Sequence, residues 1–394
     1  MTFGPRSSVA LSTVIRRRGA KRVFVVADQV LRNAGVVPII ETTINELTDA
    51  EYRIYDEGEI EPSTASVRTA TESAKEFGAD LLVGLGGGSN MDLAKVCRVA
   101  MTHEGDPFAW FGFDKVPCAS PGEVPPLVCL PTTAGTGSEV SHSAVLRNSD
   151  TGNKGAILSQ RIRPDIAIVD PYLSVTCPQR VTAESGLDAL THAIEAWTVT
   201  NFYAFDEQPG DALPYEGNNP LGDIYAEKAI RLIGKNLLRA FEEPEDLAAR
   251  SGMSLAATLA GAAFANCGVG LAHALEYPIG QKANCTHGVG NAIVLPEVMR
   301  YLKQHRANRL AQVGEFLHDG PLELSRDEMA DWAIQRVAEL RAATGLPNRL
   351  QEVGIEENDL ESLATKACSL QRLVDLTPGT PATGDALAIL RACY

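Results

Sequence analysis

A short apolar run, Asp80 to Leu85 (DLLVGL), passes directly into Gly86-Gly87-Gly88-Ser89, and a helical pattern starts at Asn90. A strand that is apolar at nearly every position is covered on both faces, and one that turns through glycines into a helix is the repeating unit of a parallel α/β sheet. The glycines allow a tight turn and let a phosphate approach the backbone N–H groups, and the helix N-terminus adds a favourable dipole. The spacing is not G-x-G-x-x-G, so the ordinary dinucleotide fingerprint is absent, and a triple glycine alone also suits a plain tight turn. Its place at the carboxyl end of a strand favours a ligand.

Further units of the same kind flank it. Arg22 to Ala27 predicts a buried strand ending at Asp28, Tyr52 to Tyr55 a weaker one, and Pro62-Ser63 opens a helical pattern through Phe77 that Gly78 closes. Leu127 to Leu130 and Asp165 to Val169 read as further strands. Near Pro178 the pattern changes to helical segments without a convincing strand, among them Ala183–Thr198, Asp223–Phe241 and Asp246–Asn266. With 394 residues, enough for two domains, the expected plan is an α/β domain with a parallel sheet over 1–177 and an all-helical domain over 178–394. A Pro/Gly/Asn-rich loop, Asn201 to Pro220, interrupts the helices.

A formal net charge of -15 makes nucleic acid and anionic membranes poor partners. No stretch of about 18 apolar residues indicates a membrane span. The eight cysteines include no C-x-x-C pair, which suggests a reduced, intracellular chain in which each is a small buried apolar residue; a cytoplasmic location is expected. The basic, acid-free start (Arg6, Arg16, Arg17, Arg18, Lys21, Arg22) resembles a transit peptide in composition, but a strand follows at once, so a surface helix packed on that strand is expected.

Two constellations carry chemistry. Asp28, at a strand end, can accept a hydrogen bond from a ribose 2′-hydroxyl and repel a 2′-phosphate, favouring NAD over NADP; a helix N-cap is the plainer alternative. Pro131 to Glu139 (PTTAGTGSE) is a hydroxyl-rich turn after a strand, suited to pyrophosphate and nicotinamide. Of seven histidines, His192 lies four residues after Asp188 in a helical stretch, so the two share a face. With His273 and His287 they make one carboxylate and three imidazoles, a set for a divalent transition ion with room for a substrate oxygen, which the ion would polarise as a Lewis acid. Each histidine alone reads as structural; the four together, set among small and apolar residues, do not. Glu139 and Glu195 are alternative ligands or supports.

GGGSNMDLAK (Gly86–Lys95), PTTAGTGSE (Pro131–Glu139), GLDALTHAIEA (Gly186–Ala196) and the block from His273 to His287 resemble, in order and spacing, the signatures of the iron-containing, or group III, alcohol dehydrogenases. The resemblance runs from Phe3-Gly4 to at least Tyr301. It implies a Rossmann-like, dehydroquinate-synthase-like N-terminal domain, a helical C-terminal domain, and a metal in the cleft between them. It implies an NAD(P)-dependent oxidoreductase that moves a hydride between a nicotinamide and an alcohol or carbonyl carbon. Carried over, the metal ligands are Asp188, His192, His273 and His287, with iron(II) expected and zinc(II) the alternative. The NAD contacts are Asp28, Gly87, Gly88, Ser89, Asp92, Thr132, Thr133, Thr136, Ser138 and Lys154. A small-molecule alcohol, aldehyde or hydroxyacid is the expected substrate, and a homo-oligomer, a dimer or larger, the expected assembly.

One position departs from the family. Many members carry a second histidine four residues after the third ligand; here it is Tyr277. With an unperturbed pKa near ~10, a tyrosine relays a proton less readily than histidine, so Tyr277 is expected to act with His273 at the catalytic centre as a hydrogen-bonding group, with aromatic packing the plainer alternative. H-x-x-x-Y-P, and the loop from Pro214 to Ile224, are similar to the hydroxyacid–oxoacid transhydrogenase branch, which moves hydride between 4-hydroxybutyrate and 2-oxoglutarate on a retained nicotinamide. No added arginine clamps a dicarboxylate; Lys282 is the nearest basic residue and reads as a solvated surface side chain. A sugar-phosphate cyclase would need a basic pocket near the metal motifs, which is not found. A non-catalytic binding protein would have no use for an intact set of buried charged ligands.

Overall fold

The computed structural model describes residues 1–118, 124–205, 217–283, 285–318, 320 and 323–394. By packing, the chain divides into two compact units: Met1–Thr133 with Gly137–Cys177, and Ala134–Thr136 with Pro178–Tyr394.

Among the described residues the first unit contains nine strands: β1 (Thr2–Phe3), β2 (Arg22–Val26), β3 (Glu51–Tyr55), β4 (Leu81–Gly86), β5 (Gly112–Phe113), β6 (Leu127–Pro131), β7 (Ser143–Arg147), β8 (Lys154–Leu158) and β9 (Ile166–Val169). Six form a sheet in the order β1-β9-β6-β4-β2-β3, with every pairing parallel. Side chains alternate across it. Phe24, Val26, Leu82, Leu127 and Cys129 enter one core with the helices Thr64–Phe77 and Gly88–Ala100. Val23, Val25, Leu81, Val83, Leu85, Val128 and Leu130 enter the other with the helices Ala10–Arg18 and Val36–Leu47. Burial on both faces is why these strands read as apolar runs. The basic N-terminal stretch is the expected helix: Leu11 and Ile15 are buried in the same core as Val23 and Val25, and Arg16 reaches the carbonyl of Leu47.

Four strands were not expected. β7 and β8 form an antiparallel hairpin, and β5 joins β8 to complete a small second sheet. The hairpin turns at Asn148, whose Oδ1 accepts from the N–H groups of Asp150 and Thr151, with Gly152 at φ 72°. Its strands are short and only half-buried, so they carry no apolar run. The two-residue β1 is too short for any periodicity.

The second unit is helical, with no named strand among the described residues. Gln179–Thr198, Pro220–Glu242, Leu247–Cys267, Leu271–Lys282, His287–Leu317 and Arg326–Ala343 are its longer helices, sharing one core with the C-terminal segments. Ala249, Ala256, Ala257, Ala260 and Ala263 are buried along Leu247–Cys267, a small-residue surface that lets neighbouring helices approach closely. Residues 206–216 of the expected loop lie outside the described residues; at its end Asn219 caps Pro220–Glu242, accepting from the N–H groups of Leu221 and Gly222. Among the described residues no single helix is long and apolar enough to cross a membrane, although the pair Leu247–Cys267 and Leu271–Lys282, bent by 107°, passes together by length and composition.

None of the eight cysteines is in a disulfide; Cys97, Cys129, Cys267 and Cys393 are buried, Cys177, Cys285 and Cys368 half-buried, and Cys118 exposed. Burial pushes the thiols of Cys97, Cys129 and Cys393 up to about 12 and that of Cys267 to about 11. A thiol-disulfide reagent at neutral pH is therefore expected to label Cys118 promptly and these four only after denaturant is added. Rapid labelling of Cys97 or Cys129, read by peptide mass mapping, would contradict the packing described.

Candidate active site

In the first unit, the carboxyl ends of the neighbouring strands β6, β4 and β2 gather most of the expected cofactor residues. Asp28 follows β2, Gly86-Gly87-Gly88-Ser89 end β4 and begin the helix, and Thr132 and Thr133 follow β6. Gly86 sits at φ 143°, where a side chain is strained, and its N–H neighbour Gly87 is the helix N-cap. Thr132 donates its N–H to the carbonyl of Gly86, tying the two loops together. Asp28 does what the plainer alternative foresaw: its Oδ1 accepts from the N–H of Leu31 as an N-cap. Its Oδ2 accepts from Asn90 Nδ2 at 2.7 Å. Ser89 Oγ accepts from the N–H of Glu61, and Lys154, on β8, pairs with the same glutamate at 2.7 Å.

Asp92 and Ser138 are turned inward. Asp92 Oδ1 accepts from Ser138 Oγ at 2.6 Å and its Oδ2 from the N–H of Val145. Lys95, fully buried, donates to Ser138 Oγ at 2.6 Å and to the carbonyl of Ser143 at 2.7 Å, and lies 3.6 Å from Asp92. Burial drives the lysine pKa down and the aspartate pKa up, against their mutual attraction. This network braces the hydroxyl-rich loop on the helix after the glycines. Lys95 belongs to the quoted motif, but the sequence pattern gave it no role. Glu139 is buried in the same unit, and Thr136 falls in the second unit.

In the second unit Asp188, His192, His273 and His287 converge, their ligating atoms all within 4.8 Å of one another. They come from three helices, Gln179–Thr198, Leu271–Lys282 and His287–Leu317. Two imidazoles are held from behind by buried carboxylates. His273 Nδ1 donates to Glu195 Oε2 at 2.5 Å, while Glu195 Oε1 accepts from the N–H of Ala272. His287 Nδ1 donates to Glu276 Oε2. Such bonds fix the tautomer and leave each Nε2 as a bare lone pair. Burial lowers the His192 pKa to about 4, so this imidazole is neutral near pH 7. Burial would raise the Asp188 carboxyl, but the three surrounding imidazoles outweigh it and hold it below the usual range. Tyr277, one turn beyond His273, stacks toward His287 with ring centroids 6.1 Å apart. Lys282 pairs with Asp359 at 3.0 Å and is half-exposed, as a surface lysine would be. Glu195 was foreseen as a support; Glu276 was not, although it lies three residues after His273 on one helix.

Two family models match the chain. The one for iron-containing alcohol dehydrogenase covers residues 1–171, and the one for the C-terminal part of the Fe-containing alcohol dehydrogenase family covers 211–394. The 1,3-propanediol dehydrogenase of Citrobacter freundii is 35% identical over 367 residues, 93% of this chain and 89% of that protein. This chain belongs to the iron-containing alcohol dehydrogenase family. As a member of that family it is an oxidoreductase, of a class that typically depends on NAD(P). Another relative, the mitochondrial hydroxyacid-oxoacid transhydrogenase of Bos taurus, is 29% identical over 398 residues, 96% of this chain and 85% of that protein. The solved structure of a 1,3-propanediol oxidoreductase matches with a TM-score of 0.90 at 32% identity, covering 100% of this chain and 97% of that one.

The donor set of this iron-type enzyme fits a divalent ion. The four candidate ligands offer one anionic oxygen and three imidazoles, with the Nδ1 atoms of His273 and His287 already spent on carboxylates. His192 Nδ1 is buried without a hydrogen-bond partner among the described residues, an orphaned lone pair or proton that costs free energy unless something takes it up.

Proposed function

We propose that this iron-type enzyme transfers a hydride between NAD and a primary alcohol, its aldehyde, or a small hydroxyacid, with residues 1–177 binding the dinucleotide and 178–394 holding the metal and substrate. The observation that carries it is the convergence of Asp188, His192, His273 and His287 with two of the imidazoles braced by buried carboxylates. A divalent ion held by these four, iron(II) first and zinc(II) next, would supply Lewis-acid polarisation of the substrate oxygen. Glu195 and Glu276 keep Nε2 of His273 and His287 free of protons. Tyr277, its ring stacked toward that of His287, orients the substrate or passes a proton to water. The glycine loop and the helix N-terminus behind it hold the pyrophosphate, and Asp28 takes a ribose hydroxyl and disfavours a 2′-phosphate.

The test is NADH absorbance with iron(II)- or zinc(II)-loaded protein, NAD, and a panel of alcohols and hydroxyacids. NADH formation that a chelator abolishes supports the proposal; the best substrate on the panel names the specificity. Failure with every alcohol and hydroxyacid would overturn it. A second function is favoured by Tyr277-Pro278 in place of a histidine and by the transhydrogenase among the relatives. If 4-hydroxybutyrate and 2-oxoglutarate react to 2-hydroxyglutarate without added NAD, the nicotinamide is retained and the chain is a transhydrogenase.

The glycine loop gives a further expectation. Gly87 has φ -74° and ψ -174°, open to any residue, and a Cβ there would meet Thr133 only at 3.5 Å. Gly87→Ala should therefore fold normally yet hold a phosphate away from the backbone, weakening NAD binding by roughly tenfold, or about 1.4 kcal/mol. Titration of the nucleotide against both proteins checks this; equal affinity would place the pyrophosphate elsewhere.

A further inference from the structure

Asn291 lies four residues after His287 on the same helix, so both side chains face the same way. It is fully buried. Its Nδ2 is 2.9 Å from Asp188 Oδ1, 3.2 Å from His287 Nε2 and 3.4 Å from His273 Nε2. One carboxamide therefore touches three of the four ligating residues on their ligating sides.

All three of those atoms are acceptors. Asp188 is a carboxylate, and Glu195 and Glu276 occupy the Nδ1 protons of the two imidazoles, which leaves each Nε2 bare. The amide thus has one tenable orientation: turned over, its carbonyl oxygen would face three lone-pair donors. Its Oδ1 has no hydrogen-bond partner among the described residues, so the orientation is dictated by what the nitrogen touches. The local sequence is built for this approach. A Cβ on Gly290 would come within 2.8 Å of Glu276 Cγ, and one on Gly288 would run into the carbonyl of Glu184. The two glycines let the first turn of this helix sit close against both neighbours, which carries His287 and Asn291 to the cluster.

We propose that Asn291 is a positioning residue of the metal centre, an amide donor that fixes the orientation of Asp188. This rests on the assignment of Asp188, His192, His273 and His287 as ligands of a divalent ion. An ion and the amide hydrogens compete for the same imidazole lone pairs, so the lasting role of the amide is its bond to Asp188 Oδ1. That bond pins Asp188 Oδ1, 3.7 Å from His287 Nε2, and with it the direction of Oδ2, 3.8 Å from His192 Nδ1.

The experiment uses full-length metal-free protein with zinc(II) or cobalt(II) alone as the probe. Affinity is read by competition with a chelator, the carboxylate geometry by the visible spectrum of bound cobalt(II), and folding by thermal melting without metal. Asn291→Ala is expected to weaken zinc(II) binding roughly 10- to 100-fold and to shift the cobalt(II) bands. Asn291→Asp keeps the shape and removes the donor, so it tests the role even if the alanine variant does not fold; it too is expected to bind zinc(II) more weakly. Unchanged affinity and spectrum in both variants would overturn the proposal. Tighter binding by Asn291→Asp would also overturn it, because the position would then be a ligand site and not a donor site. If wild type binds no stoichiometric metal, or His273→Ala binds as well as wild type, the ligand assignment itself fails and the inference falls with it.

Discussion

His273→Ala is expected to lose NAD-linked activity by about 10³-fold or more and to bind less than one equivalent of metal. The imidazole is buried, is one of the four convergent candidate ligands, and is the side-chain hydrogen-bond partner of Glu195 among the described residues. Lewis-acid stabilisation of a transition state is worth several kcal/mol, and each ~1.4 kcal/mol is a factor of ten in rate. The variant also leaves a buried carboxylate facing a cavity, so melting will fall along with activity. Metal analysis of the folded fraction separates the two effects. Lys282→Ala, on the surface at the opposite end of the same helix, is the control and should leave activity unchanged. Wild-type turnover in His273→Ala would show that the cluster is not the reaction centre.

The second large effect is predicted in the first unit. Lys95→Met should destabilise the first unit by about 3–5 kcal/mol, because among the described residues it removes the one cation within ion-pair reach of the buried Asp92 while keeping the side chain's length. At roughly 2–4 °C per kcal/mol for a unit of this size, the melting transition should drop by around 10 °C. Asp92→Asn added to Lys95→Met should recover part of the loss, since an amide needs no counter-charge. If the double variant is no better than the single one, the aspartate is not the source of the cost. A loss under 1 kcal/mol in the single variant would mean that the pair is neutral inside the protein.

Much of the fold was legible because burial on both faces writes itself as apolar runs. β2, β4, β6 and β9 were read that way, and Ser63 and Gly78 marked the ends of their helix as cap residues do. β7 and β8 escaped because a half-buried hairpin mixes small, polar and apolar residues, and its turn signal, Asn148 to Gly152, looks like any loop. In the helical unit the four candidate ligands stood out because histidines are few and Asp188 and His192 share a face. Of the residues behind them Glu195 was legible as a support, whereas Glu276 and Asn291, being of common types, were not. They do follow a simple spacing: Glu195 is three residues after His192, Glu276 three after His273 and Asn291 four after His287. The position one helical turn beyond each histidine therefore marks the other two as well.

The bonds of Asp28 bear on how readily the nucleotide preference could change. Its carboxylate caps the helix Gln29–Asn33 and anchors Asn90, which in turn bonds the carbonyl of Leu85 beneath the glycine turn. A substitution by glycine or alanine, made to admit a 2′-phosphate, would therefore loosen the loop that is meant to grip the dinucleotide, with a cap alone worth ~1 kcal/mol. Asparagine or serine keeps the cap without the charge. The evolutionary path to a different nicotinamide is narrow at this position, and it runs through residues that still accept a backbone N–H.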